Sequence, residues 1–160
     1  MTNIAVIGLG KLGLCMAAAI ARKGHRVVGL DVMPSWVERI NRGECPVNEP
    51  GLPAMIAPLV ESGLLRATTS YDEAIRGAKI IFVAVNTPLN PDNTMNMDQI
   101  RASSASLGAA LRKAKGFPII AVASTILPLT CDTIMRPIME KRSGKRCGKD
   151  FGFGANPVFI

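Results

Sequence analysis

The segment GLGKLG at residues 8–13 constrains the fold of this chain more than any other feature. It follows a short apolar run at residues 3–7, which is typical of a strand buried on both faces of a parallel sheet. It precedes residues 12–22, where Ala, Leu and Met predominate and a helix is predicted. The three glycines of the segment therefore lie in a turn between a strand and a helix.

Each of these glycines has a physical reason to occupy its position in such a turn. Gly8 lets the chain turn tightly, Gly10 lets a pyrophosphate approach the bare backbone, and Gly13 lets helix and strand pack closely. The free N–H groups at the start of the helix then meet the diphosphate with the positive end of the helix dipole.

Asp31 completes the pattern, because it ends a second apolar strand at residues 27–30. It follows the turn at close to the spacing of about 20 residues at which a carboxylate reaches the adenosine ribose of a dinucleotide. In the alternative interpretation the segment is a generic strand–helix–strand unit and Asp31 only caps the next helix. The order and spacing of these elements favour the dinucleotide site: a strand, the glycines, a helix, a second strand and then the acidic residue. Asp31 also predicts a preference for NAD over NADP, since a 2′-phosphate would lie against its carboxylate.

Composition excludes several other classes of protein. The chain has 160 residues, 48% of them hydrophobic and 19% charged, as in an ordinary globular domain. No apolar run reaches the length of a membrane span, and the N-terminus lacks the charged leader of a secretory signal, so we expect a cytoplasmic protein without a membrane partner. The four cysteines have no CxxC spacing and the single histidine, His25, stands alone, so neither a metal site nor a disulfide framework is expected.

The net charge of +7 includes a basic run, in which five of the nine residues 141–149 are Lys or Arg. Such a run can bind nucleic acid, or it can form a solvated loop and helix end. No aromatic residues interleave with these charges to stack on bases, so we expect no nucleic-acid partner. An anionic substrate would also suit a basic surface.

Hydrophobic periodicity predicts strands that alternate with helices along the whole chain. The predicted strands are residues 3–7, 27–30, 64–68, 80–85, 118–123 and 151–155, and the predicted helices are residues 12–22, 34–42, 55–61, 72–76, 98–113 and 129–142. Right-handed crossovers make this one α/β domain over residues 1–160, a doubly wound parallel sheet of Rossmann type in the order 3-2-1-4-5-6. Ligands bind such sheets where the winding reverses, at the carboxyl ends of strands 1 and 4.

Further short motifs follow the glycine-rich turn in order: VGLD at residues 28–31, INRG at 40–43, EPGL at 49–52, VNTP at 85–88, Ser-Thr at 124–125 and Asn-Pro at 156–157. Together they resemble the N-terminal domain of the UDP-glucose/GDP-mannose dehydrogenases over the whole chain. The glycine-rich turn is common to many dinucleotide-binding proteins. The EPGL loop, the Thr-Pro after strand 4 and the Ser-Thr after strand 5 are far more specific in combination.

This resemblance implies an activity. Enzymes of the family oxidise the C6 alcohol of a nucleotide-linked sugar to a carboxylate and pass two hydrides to two NAD molecules in succession. A cysteine of the C-terminal domain holds the aldehyde as a thiohemiacetal and then as a thioester, which water cleaves. We expect the reaction from UDP-glucose to UDP-glucuronate, in polysaccharide biosynthesis, carried out by a full-length protein that is a homodimer.

The resemblance also implies roles for individual residues. The turn binds the pyrophosphate, Asp31 binds the adenosine ribose, and the loops at residues 86–88 and 124–125 flank the nicotinamide half of NAD. Thr125 matches a threonine near the reacting centre and is the catalytic candidate. The predicted cofactor-binding residues are Gly8, Gly10, Lys11, Leu12, Gly13, Asp31, Val85, Asn86, Thr87, Ser124 and Thr125.

Three departures from the family pattern bear on catalysis. The substrate domain and its cysteine are absent from this chain, so we expect the nucleotide sugar to bind through a C-terminal domain that it lacks and the chain alone to be inactive. Val158 stands where the family has a catalytic-site glutamate, and the glycine usual after Ser-Thr is not evident at residues 127–129. The alternative is a non-catalytic NAD-binding or interaction module derived from such an enzyme. Another NAD-dependent hydroxyacid dehydrogenase is a weaker alternative, against which the EPGL segment argues.

Overall fold

The structure is a computed structural model that describes residues 1–156. Its strands are β1 (Asn3–Ile7), β2 (Arg26–Leu30), β3 (Leu65–Thr68), β4 (Ile80–Val83), β5 (Ile119–Val122) and β6 (Gly152–Ala155). Its helices are α1 (Lys11–Arg22), α2 (Pro34–Asn41), α3 (Pro53–Glu61), α4 (Tyr71–Ala74), α5 (Asp98–Leu111) and α6 (Arg136–Ser143), the last preceded by a π-helical segment, Cys131–Met135. No helix in this part of the chain is both long and apolar enough to cross a membrane.

All six strands pair in parallel in one sheet with the order β3-β2-β1-β4-β5-β6. This confirms the predicted doubly wound topology. The winding reverses between β1 and β4, which lie side by side with Val6 opposite Phe82. The carboxyl ends of these two strands are therefore where a ligand is expected.

Two hydrophobic clusters cover the two faces of the sheet. Side chains of β1 alternate between them: Ile4 and Val6 belong to the cluster shared with α1, α2 and α3, and Ala5 and Ile7 to the cluster shared with α4, α5 and α6. The alternation follows from the period of two in a strand. A sheet buried on both faces holds its carboxyl edge rigidly, so the loops that leave this edge have a fixed frame.

The predicted strand at residues 80–85 is two residues too long, because β4 ends at Val83. The carbonyl of Val83 accepts the N–H groups of both Ala123 (2.8 Å) and Ser124 (3.1 Å), which completes the pairing with β5. Ala84 still donates to Ile7 at 2.7 Å on the other side. The chain then leaves the sheet, and the apolar side chains of residues 84 and 85 are half-buried beyond the end of β4.

The predicted helix over residues 129–142 is interrupted just before Pro137. Proline has no N–H to donate to the carbonyl of Thr133 four residues earlier. The segment Cys131–Met135 widens to π-helical geometry just before it, and α6 continues from Arg136. At the start of the predicted helix, Leu129 has a φ of +66° although it is not a glycine.

Candidate functional site

The turn at residues 8–13 has no room for side chains at two of its three glycines. Gly8 has a φ of +91°, and a Cβ there would lie 2.6 Å from the carbonyl oxygen of Ala84. A Cβ on Gly13 would lie 1.8 Å from the carbonyl oxygen of Gly8. The first glycine therefore allows the turn, and the third allows α1 to pack directly against it, as predicted.

Gly10 is different, because a Cβ at this position would have no heavy atom within 4 Å. Its φ is −65°, which any residue adopts. No side chain caps the start of α1, and its first turn contains no acidic residue. The first N–H groups of a helix have no acceptor within the helix, so the turn presents open space and unpaired donors to an anion. At this start, Lys11 is exposed and Leu12 is half-buried.

Asp31 is held in place by the turn that it follows. Its Oδ2 accepts the N–H of Leu9 at 2.9 Å, and its Oδ1 accepts the N–H of Met33 at 3.0 Å. The Leu9 side chain is fully buried and lies against Gly29, where a Cβ would approach it to 2.6 Å. The carboxylate is thus fixed at the end of β2, and each oxygen retains acceptor capacity for a ligand hydroxyl.

The loops after β4 and β5 are joined by two side-chain hydrogen bonds. Ser124 is buried and donates from Oγ to the carbonyl of Val85 at 2.7 Å. Thr87 donates from Oγ1 to the carbonyl of Thr125 at 2.8 Å. Asn86 lies between them, exposed, and its Oδ1 accepts the N–H of Thr87 at 3.1 Å. All five residues named from the sequence at these loops therefore form one connected wall at the carboxyl edge.

Leu129 lies a few residues beyond this wall and is 70% exposed. A positive φ is rare for a branched side chain. Its carbonyl accepts three hydrogen bonds, from the N–H groups of Asp132 (3.0 Å) and Thr133 (2.9 Å) and from the hydroxyl of Thr133 (3.0 Å). These bonds hold the backbone in a conformation that glycine would adopt without cost. Val158, the other departure from the family pattern, lies outside the described residues.

Lys11 and Tyr71 are among the ionisable side chains near the carboxyl edge whose pKa values are shifted. The hydrogen bond and charge of Glu49 raise the pKa of Lys11, so Lys11 is a cation throughout the neutral range. Burial raises the pKa of Tyr71 at the start of α4, and the negative charge of Asp31 adds to this shift. The two shifts have different origins, because Lys11 gains an anionic partner and Tyr71 is partly removed from water.

Sequence reasoning missed two contacts of this site. It named Asp31 and the turn separately, without the bond from Leu9 that joins them. It recognised the EPGL segment without seeing that Glu49 forms an ion pair with Lys11 at 2.6 Å. Two signals were available in the sequence. Leu9 is an apolar residue between two glycines of the turn, and Glu49 is an acidic residue in a motif otherwise made of loop residues.

A family model described as UDP-glucose/GDP-mannose dehydrogenase family, NAD binding domain, matches residues 2–160. The GDP-mannose 6-dehydrogenase of Pseudomonas putida is 36% identical over 158 residues, and the UDP-glucose 6-dehydrogenase of Haloferax volcanii is 35% identical over 161 residues. Each match covers 99% of this chain and 36% of the relative, so the chain spans about a third of the length of these proteins.

Among solved structures, a ternary complex of GDP-mannose dehydrogenase from Pseudomonas aeruginosa matches with a TM-score of 0.95 at 34% identity. The match covers 98% of this chain and 36% of that one. The cofactor is NAD, in agreement with the open turn and the fixed carboxylate at the end of β2.

Proposed function

The chain belongs to the UDP-glucose/GDP-mannose dehydrogenase family, and from this premise we propose that it is the part of a nucleotide-sugar dehydrogenase that holds NAD while a sugar C6 alcohol is oxidised. The observation that carries the proposal is the turn at residues 8–13. It combines two glycines that exclude side chains, an open Gly10 and an uncapped helix start with Asp31 fixed beside it.

We assign the adenosine half of NAD to β1 and β2. The N–H groups at Gly10, Lys11 and Leu12 meet the diphosphate, and Gly8 and Gly13 shape the turn that presents them. Asp31 accepts hydrogen bonds from the ribose hydroxyls with the acceptor capacity that Leu9 and Met33 leave free. A 2′-phosphate in the same position would face a carboxylate, so the site prefers NAD to NADP.

The nicotinamide half is assigned to the loops after β4 and β5, with Val85, Asn86, Thr87 and Ser124 forming its wall. NAD supplies the hydride acceptor there. Thr125 is exposed at this wall, and its backbone carbonyl accepts a hydrogen bond from Thr87. We propose that the Thr125 hydroxyl hydrogen-bonds the reacting oxygen of the sugar.

The relatives named above are almost three times as long as this chain, and we propose that the missing length supplies the substrate domain. Hydride transfer needs the alcohol held at attack distance from the nicotinamide, which requires a second wall for the crevice. The 160-residue chain should therefore bind NAD without oxidising a nucleotide sugar, and a full-length protein is proposed to act as a homodimer.

Two sugars are candidates. UDP-glucose is the expectation from the sequence, and the name of the Haloferax volcanii relative supports it. GDP-mannose is the second, supported by the name of a relative with slightly higher identity. The non-catalytic alternative is favoured by Val158 in place of a glutamate, because valine can neither accept a proton nor bind the water that attacks a thioester.

The test uses two proteins. The 160-residue chain is titrated with NAD by calorimetry, and its full-length version is then assayed for NADH with UDP-glucose and with GDP-mannose at matched concentrations. The proposal expects NAD binding by both proteins, NADH formation by the full-length protein alone, and a clear preference for one sugar. NAD binding by the full-length protein with neither sugar oxidised would contradict the enzymatic function and leave the non-catalytic module.

A further inference from the structure

Lys11 and Glu49 join two parts of the molecule that are far apart in sequence. Their Nζ and Oε1 atoms are 2.6 Å apart, with 74% of the Lys11 side chain and 24% of the Glu49 side chain exposed. Lys11 is the first residue of α1. Glu49 lies in the segment at residues 43–52, between α2 and α3, which we call the Glu49 loop. The pair therefore ties this loop to the helix start that binds the cofactor diphosphate.

The Glu49 loop is anchored at both ends, so the position of Glu49 does not depend on Lys11 alone. At its start, Gly43 lies against Ala57, where a Cβ would approach to 3.0 Å. Near its start, Arg39 donates to the carbonyl of Cys45 at 3.2 Å. At its end, Leu52 is 4% exposed and belongs to the cluster beneath α1. The loop thus places the Glu49 carboxylate at the start of α1, although Glu49 is not part of that helix.

The position of the Glu49 carboxylate matters because α1 itself has no acidic residue in its first turn. An anion site at a helix start normally keeps negative side chains away from its ligand, since like charges repel. Glu49 brings a negative charge to this helix start and pairs with the ammonium group of Lys11. Among residues 1–156, its one ion pair is with Lys11.

We propose that Glu49 competes with the NAD diphosphate for Lys11, so that cofactor binding draws Lys11 away and releases the Glu49 loop from α1. The inference concerns the cofactor and does not depend on which sugar is oxidised. Removal of the Glu49 charge makes the helix start more positive and frees Lys11 for the ligand. The affinity for any ligand with a diphosphate then rises by about 3- to 10-fold, the effect of one charge at this range in a surface environment.

The first experiment compares Glu49→Gln with the unmodified 160-residue chain in calorimetric titrations with NAD and with ADP. Glutamine keeps the length of the side chain and removes only its charge, and the loop keeps its other anchors at Cys45 and Leu52. Adenosine, measured by displacement of NADH, is the control ligand because it has no phosphate. The proposal expects tighter binding of NAD and ADP, unchanged binding of adenosine, and a smaller gain at high salt.

Glu44→Gln is the matched control variant. Glu44 lies in the same loop but pairs with Arg39 (3.3 Å) and Arg42 (3.1 Å) instead of Lys11. Its removal changes the net charge by the same amount and should leave NAD affinity within about twofold. An equal increase in NAD affinity in both variants would show that the effect comes from overall charge alone, and this would overturn the proposal.

Lys11→Met tests whether Glu49 acts through Lys11. The single variant should bind NAD more weakly, and Glu49→Gln in that background should change the affinity by less than about twofold. Hydrogen exchange gives a second readout: NAD should speed exchange of amides at residues 44–49 in the unmodified chain and leave them unchanged in Lys11→Met. Unchanged or weaker NAD binding by Glu49→Gln, or no change of loop exchange on NAD binding, contradicts the proposal. Because no sugar is present, these outcomes are separate from failure of the proposed enzymatic function.

Discussion

The carboxylate of Asp31 accepts a hydrogen bond from the backbone N–H of Leu9 at 2.9 Å. This bond joins the end of β2 to the glycine-rich turn after β1, beside the bond from Gly8 to the carbonyl of Leu30 at 2.8 Å. The group expected to bind the ribose and the turn expected to bind the diphosphate are therefore one rigid unit. A change at Asp31 should affect both the choice of cofactor and the geometry of the turn.

Asp31→Asn should lower the affinity for NAD by about tenfold. It should also lower the ratio of the affinity for NAD to the affinity for NADP. The substitution removes a charged acceptor, whose hydrogen bonds are worth about 1.5–3 kcal/mol, and also the repulsion of a 2′-phosphate. Parallel calorimetric titrations with both cofactors measure the effect. Asp150→Asn removes the same charge just before β6, at the amino end of that strand, and should change neither affinity. An unchanged ratio of the two affinities in Asp31→Asn would show that Asp31 does not discriminate between the cofactors.

Leu129→Gly should stabilise the folded chain by about 1 kcal/mol. Leucine at a φ of +66° carries a steric cost of about 1–2 kcal/mol, part of which the greater freedom of glycine in the unfolded chain offsets. Urea unfolding followed by circular dichroism measures the shift in midpoint at constant slope. Leu127→Gly is the control: Leu127 is also exposed but does not have a positive φ, so glycine there should destabilise by about 0.5–1 kcal/mol. Equal effects at the two positions would contradict the strain at Leu129.

Tyr71 should ionise above the ordinary tyrosine value of 10.0, because burial disfavours the phenolate and Asp31 adds a negative charge nearby. A group whose pKa is raised by folding contributes stability that is present below its unfolded pKa and is lost as the pH rises through its folded pKa. The chain should therefore lose stability above about pH 10, and Tyr71→Phe should lose less. Tyr71 is the single tyrosine of the sequence, so absorbance reports its titration alone. A midpoint at or below that of the urea-unfolded chain would contradict this account.

The sheet order and the turn were predictable because they depend on local patterns. The period of two in each strand, the handedness of crossovers and the spacing from the glycines to Asp31 need no knowledge of distant contacts. The hydrogen bond from Ser124 to the carbonyl of Val85 follows from the pairing of β4 with β5, which the sequence also indicated. The cap of α4 is local too, because Ser70 and Glu73 have the spacing of a capping box and Ser70 accepts the N–H of Glu73 at 3.4 Å.

Other features depend on tertiary geometry that no local pattern contains. The end of β4 at Val83 is set by two N–H groups that arrive from β5, not by its own apolar sequence. The positive φ of Leu129 is imposed by three hydrogen bonds from the next turn of helix. The pairing of Lys11 with Glu49 joins two polar side chains across the chain, and polar side chains show no periodicity that would reveal a partner.

The central claim is that the turn at residues 8–13 binds the diphosphate of NAD, and Gly10→Ala tests it most directly. A methyl group fits at Gly10, with no heavy atom within 4 Å, whereas at Gly13 it would lie 1.8 Å from a carbonyl oxygen. Gly13→Ala should therefore disrupt the fold, and Gly10→Ala should unfold cooperatively like the unmodified chain. The decisive measurement is a calorimetric NAD titration of folded Gly10→Ala. The account predicts that its affinity falls by at least about tenfold, because the methyl group occupies the space through which the diphosphate reaches the backbone. Unchanged NAD affinity in folded Gly10→Ala would contradict it.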